Sequence, residues 1–201
     1  MRWTIKPKPD LSTVKRLSNK LGVDSTTSFL LAQREIETYE EAKRFFRPEL
    51  KDLHDPFLMK DMDKAVSRIE QAIIAEENIL IYGDYDVDGT TSVALLSSYL
   101  RSYYSNIATY IPDRYGEGYG ISYKGIDFAE DNNFSLIIAL DCGIKAIDKV
   151  AYASKKGIDF IICDHHRPGD EIPKAKAVLD PKRNDCDYPF KELCGCGVGF
   201  K

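Results

Sequence analysis

The sequence predicts an α/β protein: a five-stranded, mainly parallel sheet flanked by helices and preceded by a small helical region. Three observations predict it. From Asn78 onward, short runs of Ile, Val and Leu alternate with amphipathic stretches, the pattern of buried parallel strands joined by crossover helices. Before Asn78 the apolar residues recur mainly at helical spacing. Three of the apolar runs lead directly into Asp, and a parallel sheet gathers whatever follows its strands at one edge. The reading therefore divides the chain into a helical region at 1–77 and an α/β domain at 78–201.

In chain order, Leu11, Val14, Leu17 and Leu21 keep one helical face. Thr38 with Glu41 forms a capping box ahead of Ala42, Phe45 and Phe46, and Pro48 stops that helix. Met62, Ala65, Val66, Ile69 and Ile73 make the stripe of a further helix between 61 and 77. All of these faces are expected to pack as core. Strands are expected at 79–82, 107–111, 136–140, 159–163 and 177–179, with helices at 91–103, 123–131 and 144–156, the last closed by Gly157. The Gly-rich stretch from Gly195 to Lys201 reads as the approach to a following helix.

The 201 residues, 43% apolar and 30% charged, suffice for a sizeable core. Lys and Arg number 28 against 32 Asp and Glu, a net charge of −4, which excludes a protein that binds through a global basic field. No apolar run approaches the roughly 20 residues of a membrane span, and the N-terminus lacks the apolar segment of a secretory signal. A cytoplasmic protein with no membrane partner is expected. Five cysteines, an odd number, form neither a disulfide ladder nor a zinc knuckle, so reduced thiols are expected.

The chemistry is concentrated where strands end. One leads into Asp84-Tyr85-Asp86-Val87-Asp88-Gly89, another into Asp141-Cys142-Gly143, and a third into Asp164-His165-His166. A single Asp in such a place is an ordinary cap or turn former. Five carboxylates and two imidazoles on one edge repel or compete for protons unless cations neutralise them. Mainly oxygen ligands with one or two imidazoles suit Mn²⁺ or Mg²⁺, and the count allows two ions, the arrangement that stabilises both attacking and leaving oxygens at phosphorus. His54 lies in a turn-like stretch and reads as structural. The Asp84-x-Asp86-x-Asp88-Gly89 spacing is not a calcium loop, because its twelfth position is Leu95 and a strand precedes it. Thr90 and Thr91 open the next helix and offer hydroxyls and amides to a phosphate. Arg114 sits in a Gly/Tyr-rich loop able to meet a phosphate or stack on bases.

Asp86-Val87-Asp88-Gly89-Thr90 also resembles the nucleophile loop of haloacid-dehalogenase-like phosphatases, a reading that leaves Asp84, Asp141 and both histidines without roles. The ordered set Asp-x-Asp-x-Asp-Gly, Asp-Cys-Gly and Asp-His-His is more specific: it resembles the DHH phosphoesterase superfamily. Leu53-His54-Asp55-Pro56-Phe57-Leu58-Met59 and the segment Ile111-Pro112-Asp113-Arg114 to Gly118-Tyr119-Gly120 are similar to its single-strand-specific exonuclease branch. The resemblance implies a Mn²⁺- or Mg²⁺-dependent hydrolase that releases nucleotides 5′→3′ from single-stranded DNA in recombination and repair. It implies Asp86 and Asp141 on one ion, Asp88, Asp141 and His165 on the other, and Asp84 in or beside that shell. His166 would meet the scissile phosphate, and Asp164 would orient the histidines from behind.

The resemblance also implies a longer protein, with a further Asp ligand and a second domain downstream. Asp180, Asp185 and Asp187 are not matched to that ligand. This chain by itself would then fold but bind metal weakly and cleave poorly. A single-strand-binding protein or a helicase would be its protein partners. Competing expectations are a phosphoesterase of short oligonucleotides or cyclic dinucleotides, and a non-catalytic replisome or nucleic-acid-binding module.

Overall fold

A computed structural model describes residues 3–201. The chain forms two compact units that meet in sequence at Leu53 and His54. The first holds α1 (Leu11–Leu21), α2 (Ser25–Ala32) and α3 (Tyr39–Phe46). Asp10 and Asp24 cap the first two helices, and Thr38 and Glu41 form the expected capping box on the third. Val14, Leu17, Leu31 and Ala32 make its core. The packing expected of the other apolar positions is not found: Leu11 is 72% exposed, Phe45 54% and Phe46 56%, and α3 buries only Ala42. Helical spacing puts residues on one face, but a unit this small has too little opposing surface to cover every face.

The second unit continues with α4 (Met62–Ile74), β1 (Asn78–Gly83), α5 (Val87–Arg101), β2 (Ile107–Tyr110), α6 (Tyr123–Asp131), β3 (Phe134–Leu140), α7 (Ile147–Lys155), β4 (Asp159–Cys163), β5 (Ala177–Leu179) and α8 (Gly195–Phe200). The strands form one sheet in the order β2-β1-β3-β4-β5, and every neighbouring pair is parallel. Alternate residues serve opposite faces. Ile79, Ile81, Leu136, Ile138 and Ile161 pack with α4, α5 and α8, while Leu80, Tyr82, Ile137, Ala139 and Ile162 pack with α6 and α7. Burial on both faces is why the strands read as unbroken apolar runs.

Three boundaries differ from the sequence reading. The helix α4 belongs to the sheet unit, because Met62, Ala65 and Ala72 lie in the same core as Ile79 and Ile138; the compact units divide at 53, where the sequence reading divided the chain at 77. The helix α5 starts at Val87 instead of 91, since the Asp86 carboxylate accepts the Gly89 N–H at 3.0 Å and caps it. The Gly-rich end is itself helical, as α8.

The chain leaves β1 for β2 on one side and crosses back to β3 on the other, so the sheet's topological switch point lies between β1 and β3. Asp84 to Asp88 follow β1, Asp141 follows β3, and Asp164 follows β4. Parallel strands thus deliver all three motifs to one edge. Two outcomes check this account. Ile138→Ala, at a fully buried position of the central strand β3, is expected to cost about 2–5 kcal/mol in urea unfolding. A chain beginning at His54 is expected to keep cooperative unfolding, whereas one beginning at Asn78 loses it, because Met62, Ala65 and Ala72 no longer cover the sheet.

Candidate metal centre

Asp141 is the buried middle of the cluster. It has φ 61°, a left-handed conformation that Asp tolerates better than most residues, and its N–H donates to the Cys163 carbonyl at 2.8 Å. That bond ties the end of β3 to the end of β4. His165 Nε2 stands 3.1 Å from Asp141 Oδ1 and 3.7 Å from Asp88 Oδ2. The approach to Asp141 lacks hydrogen-bond geometry, and Asp141 Oδ1 is buried without a partner. Burial first, then the charges of Asp88 and Asp86, push the Asp141 carboxyl up to about 7.

Asp88 is held by the far end of the chain. Gly195 N–H donates to its Oδ2 and Cys196 N–H to its Oδ1, both at 2.7 Å. A Cβ on Gly195 would lie 2.4 Å from Asp141 Oδ1, so only glycine lets α8 approach this closely. Asp84 is fully buried beneath the cluster; its Oδ1 accepts from Gly120 N–H at 3.2 Å, and its Oδ2 has no partner. Gly89 also permits contact here, since a Cβ would sit 2.4 Å from the Asp84 carbonyl oxygen.

Asp164 organises the histidines. Its Oδ1 accepts from His165 N–H at 2.7 Å, from His166 N–H at 3.1 Å and from His166 Nδ1 at 2.7 Å, while its Oδ2 accepts from Ile144 N–H at 2.9 Å. His166 Nε2 then meets the Tyr119 hydroxyl at 3.2 Å. Tyr119 is positioned by its loop: Tyr82, on β1, donates its hydroxyl to the Gly120 carbonyl and accepts from Ser122 N–H. Burial, and next the Asp84 charge, push the Tyr119 hydroxyl's pKa up.

The structure brings together ligand atoms of Asp141, His165 and His166 within 4.8 Å of one another. Asp88 adjoins that group, Asp86 acts on it through its charge while capping α5, and Asp84 and Asp164 lie buried around it. Arg114 lies outside, its guanidinium 5.1 Å over the Tyr85 ring. The Thr90 and Thr91 hydroxyls donate to the carbonyls of Asp86 and Val87, at 2.7 and 2.5 Å. Asp86 as a helix cap speaks against the aspartyl nucleophile of the haloacid-dehalogenase reading.

Four contributors escaped the sequence reading. Gly195 and Cys196 act through backbone amides, which residue type does not reveal. Tyr119 was legible only as a stacking residue. Asp180 did carry a signal: it follows β5 as the other Asp residues follow their strands, and it is buried with Oδ2 unpartnered and its carboxyl pushed up by burial to about 6.

A buried carboxylate oxygen with no proton donor, facing an imidazole nitrogen at 3.1 Å, offers atoms of the types a divalent cation takes. The residues present fit the group. Comparison with known proteins agrees, since residues 78–201 match the DHH family, N-terminal domain. The chain belongs to the DHH family. Its α/β fold and all-parallel sheet are those of solved relatives: it superposes on a RecJ from Thermus thermophilus in complex with Mn²⁺ with TM-score 0.74 at 24% identity, covering 99% of this chain and 27% of that one. A crystal structure of exonuclease RecJ bound to manganese gives TM-score 0.66 at 29% identity, over 74% of this chain and 37% of the other. In sequence, this DHH chain is 44% identical to the single-stranded-DNA-specific exonuclease RecJ of Bacillus subtilis (strain 168) over 201 residues, and 36% identical to that of Escherichia coli (strain K12) over 172. It spans 25% and 29% of their lengths.

The raised Asp141 value carries a pH dependence. The folded carboxyl titrates at about 7, above its ordinary 3.8, so its contribution to stability is whole in acid and is lost as pH rises through about 7. In chelator, Asp141→Asn is expected to flatten the fall in Tm between pH 5 and pH 8. Excess Mn²⁺ is expected to raise Tm at pH 8 for the wild type and to leave the variant unchanged.

Proposed function

We propose that this DHH domain is the metal-dependent phosphodiesterase core of a single-stranded-DNA-specific exonuclease. It acts 5′→3′ in DNA recombination and repair, in the cytoplasm, with a single-strand-binding protein or a helicase as partner. The observation that carries the reading is the approach of His165 Nε2 to the donorless Asp141 oxygen at 3.1 Å, beside Asp88, at the sheet's switch point. Sequence identity to RecJ across the whole chain supports this substrate class. No helix among the described residues is long and apolar enough to cross a membrane.

Asp141 and His165, with Asp88 and Asp86 beside them, would hold Mn²⁺ or Mg²⁺, which when bound neutralises phosphate charge and activates water for attack at phosphorus. The chain's own part is positioning. Asp164 accepts the Nδ1 proton of His166, which fixes the tautomer and leaves Nε2 as an acceptor beside the metal centre. Tyr119 holds that nitrogen in place. The amides of Gly195 and Cys196 fix Asp88, so its carboxylate needs no rearrangement when a cation arrives. Arg114 over Tyr85, with Tyr119 beside Tyr85, forms an aromatic and cationic wall suited to unpaired bases.

In a full-length form, Asp141→Ala is expected to abolish release of nucleotides from an end-labelled single strand in Mn²⁺, with circular dichroism unchanged. Asp164→Asn is expected to lower Mn²⁺ affinity or turnover by about 10–100-fold, as loss of an orienting partner does. The full-length form is expected to degrade single strands and to spare blunt duplex. Equal degradation of both, or full turnover by Asp141→Ala, would sink the reading.

A further inference from the structure

A cleft of about 240 Å³ opens beside the metal centre and shares His166 with it. Its lining includes Tyr119, 53% exposed, the buried Ile121 and Ile144, and Lys145 and Lys149. Neither lysine has an ion-pair partner among the described residues. The cleft also meets the start of α7: Ala146, the cap residue, lines it and supplies no side-chain cap, which leaves the helix's first amides for another acceptor. Asp164 is the one acid in the lining, and both of its oxygens are already taken by N–H donors.

Two unpaired ammonium groups beside an uncapped helix start form an anion site. The exposed ring of Tyr119 next to it suits a sugar or base. This pairing of phosphate recognition with an aromatic ring describes one nucleotide unit. Because His166 borders both places, a strand whose scissile phosphate lies at Asp141 and His165 has its neighbouring nucleotide within reach of the cleft.

Resting on the reading of the domain as a single-strand nuclease, we propose that the Lys145–Lys149 cleft is a subsite for the nucleotide adjacent to the scissile phosphate. The lysines contact that nucleotide's phosphodiester, and the ring of Tyr119 takes its sugar or base. The strand therefore runs from the metal centre past Tyr119 and His166 toward α7.

The test is the salt dependence of binding by a labelled oligothymidylate, followed by fluorescence anisotropy in chelator so that nothing is cleaved. Each lysine contact to a single strand contributes about 0.7 to the slope of log affinity against log salt. The K145A/K149A variant is expected to lose about 1.4 from the slope of the wild type. The control K155A/K174A, which removes two exposed lysines outside the cleft, is expected to keep that slope. All four lysines lie outside the core, and equal Tm values check that the variants fold. An unchanged slope in K145A/K149A, or equal losses in both double variants, overturns the subsite. If the full-length wild type still cleaves single strands in Mn²⁺, the functional reading stands without it. A full-length wild type that neither binds nor cleaves single strands overturns both.

Discussion

Asp141 places a carboxylate in a buried position among other carboxylates, with no proton donor on its inner oxygen. Without a cation, that arrangement makes the acid hold its proton to near neutral pH, an unfavourable state that the surrounding structure must sustain. It does so through backbone: the end of β3 is tied to β4 by the bond from Asp141 N–H to the Cys163 carbonyl, and φ at Asp141 is held positive. Residues in such conformations persist where the surroundings over-determine them. Here the over-determination comes from a central strand paired on both sides along its length.

The neighbouring groups are fixed by bonds that leave the cluster's inner faces open. Asp88 is gripped by two amides of α8, Asp164 by four N–H donors, and Asp84 by the Gly120 amide. Most of these partners are main-chain groups on packed elements, so the spacing of the carboxylates is set by the fold and not by flexible side chains. A site built this way is organised before any ligand arrives, which is what chemistry at phosphorus requires of positioning residues.

Much of the fold was legible because burial on both sheet faces forces continuous apolar runs, and all five expected strands coincide in place with β1 to β5. The α6 boundaries, 123 to 131, were also legible, since Ser122 caps its start. Elements whose position depends on partners elsewhere were not. Periodicity in α4 spoke of a helix but not of which unit it covers. Leu11, Phe45 and Phe46 follow helical spacing, yet nothing in their own unit covers them. The start of α5 moved forward because Asp86 serves as a cap as well as part of the acidic motif.

The sequence by itself determined the parallel sheet, the acids and histidines at its carboxyl edge, and the family to which their order belongs. It could do so because residue type and period are local properties, and parallel strands translate position along the chain into position at one edge. The tertiary structure alone decided that Asp141, His165 and His166 form the inner group, that Asp88 is set by the amides of Gly195 and Cys196, that Tyr119 bonds His166, and that Lys145 and Lys149 share a cleft with that histidine. Those relations join residues up to 108 positions apart through backbone donors and ring nitrogens. Such contacts exist only once the chain has folded, and no pattern within a window of sequence encodes them.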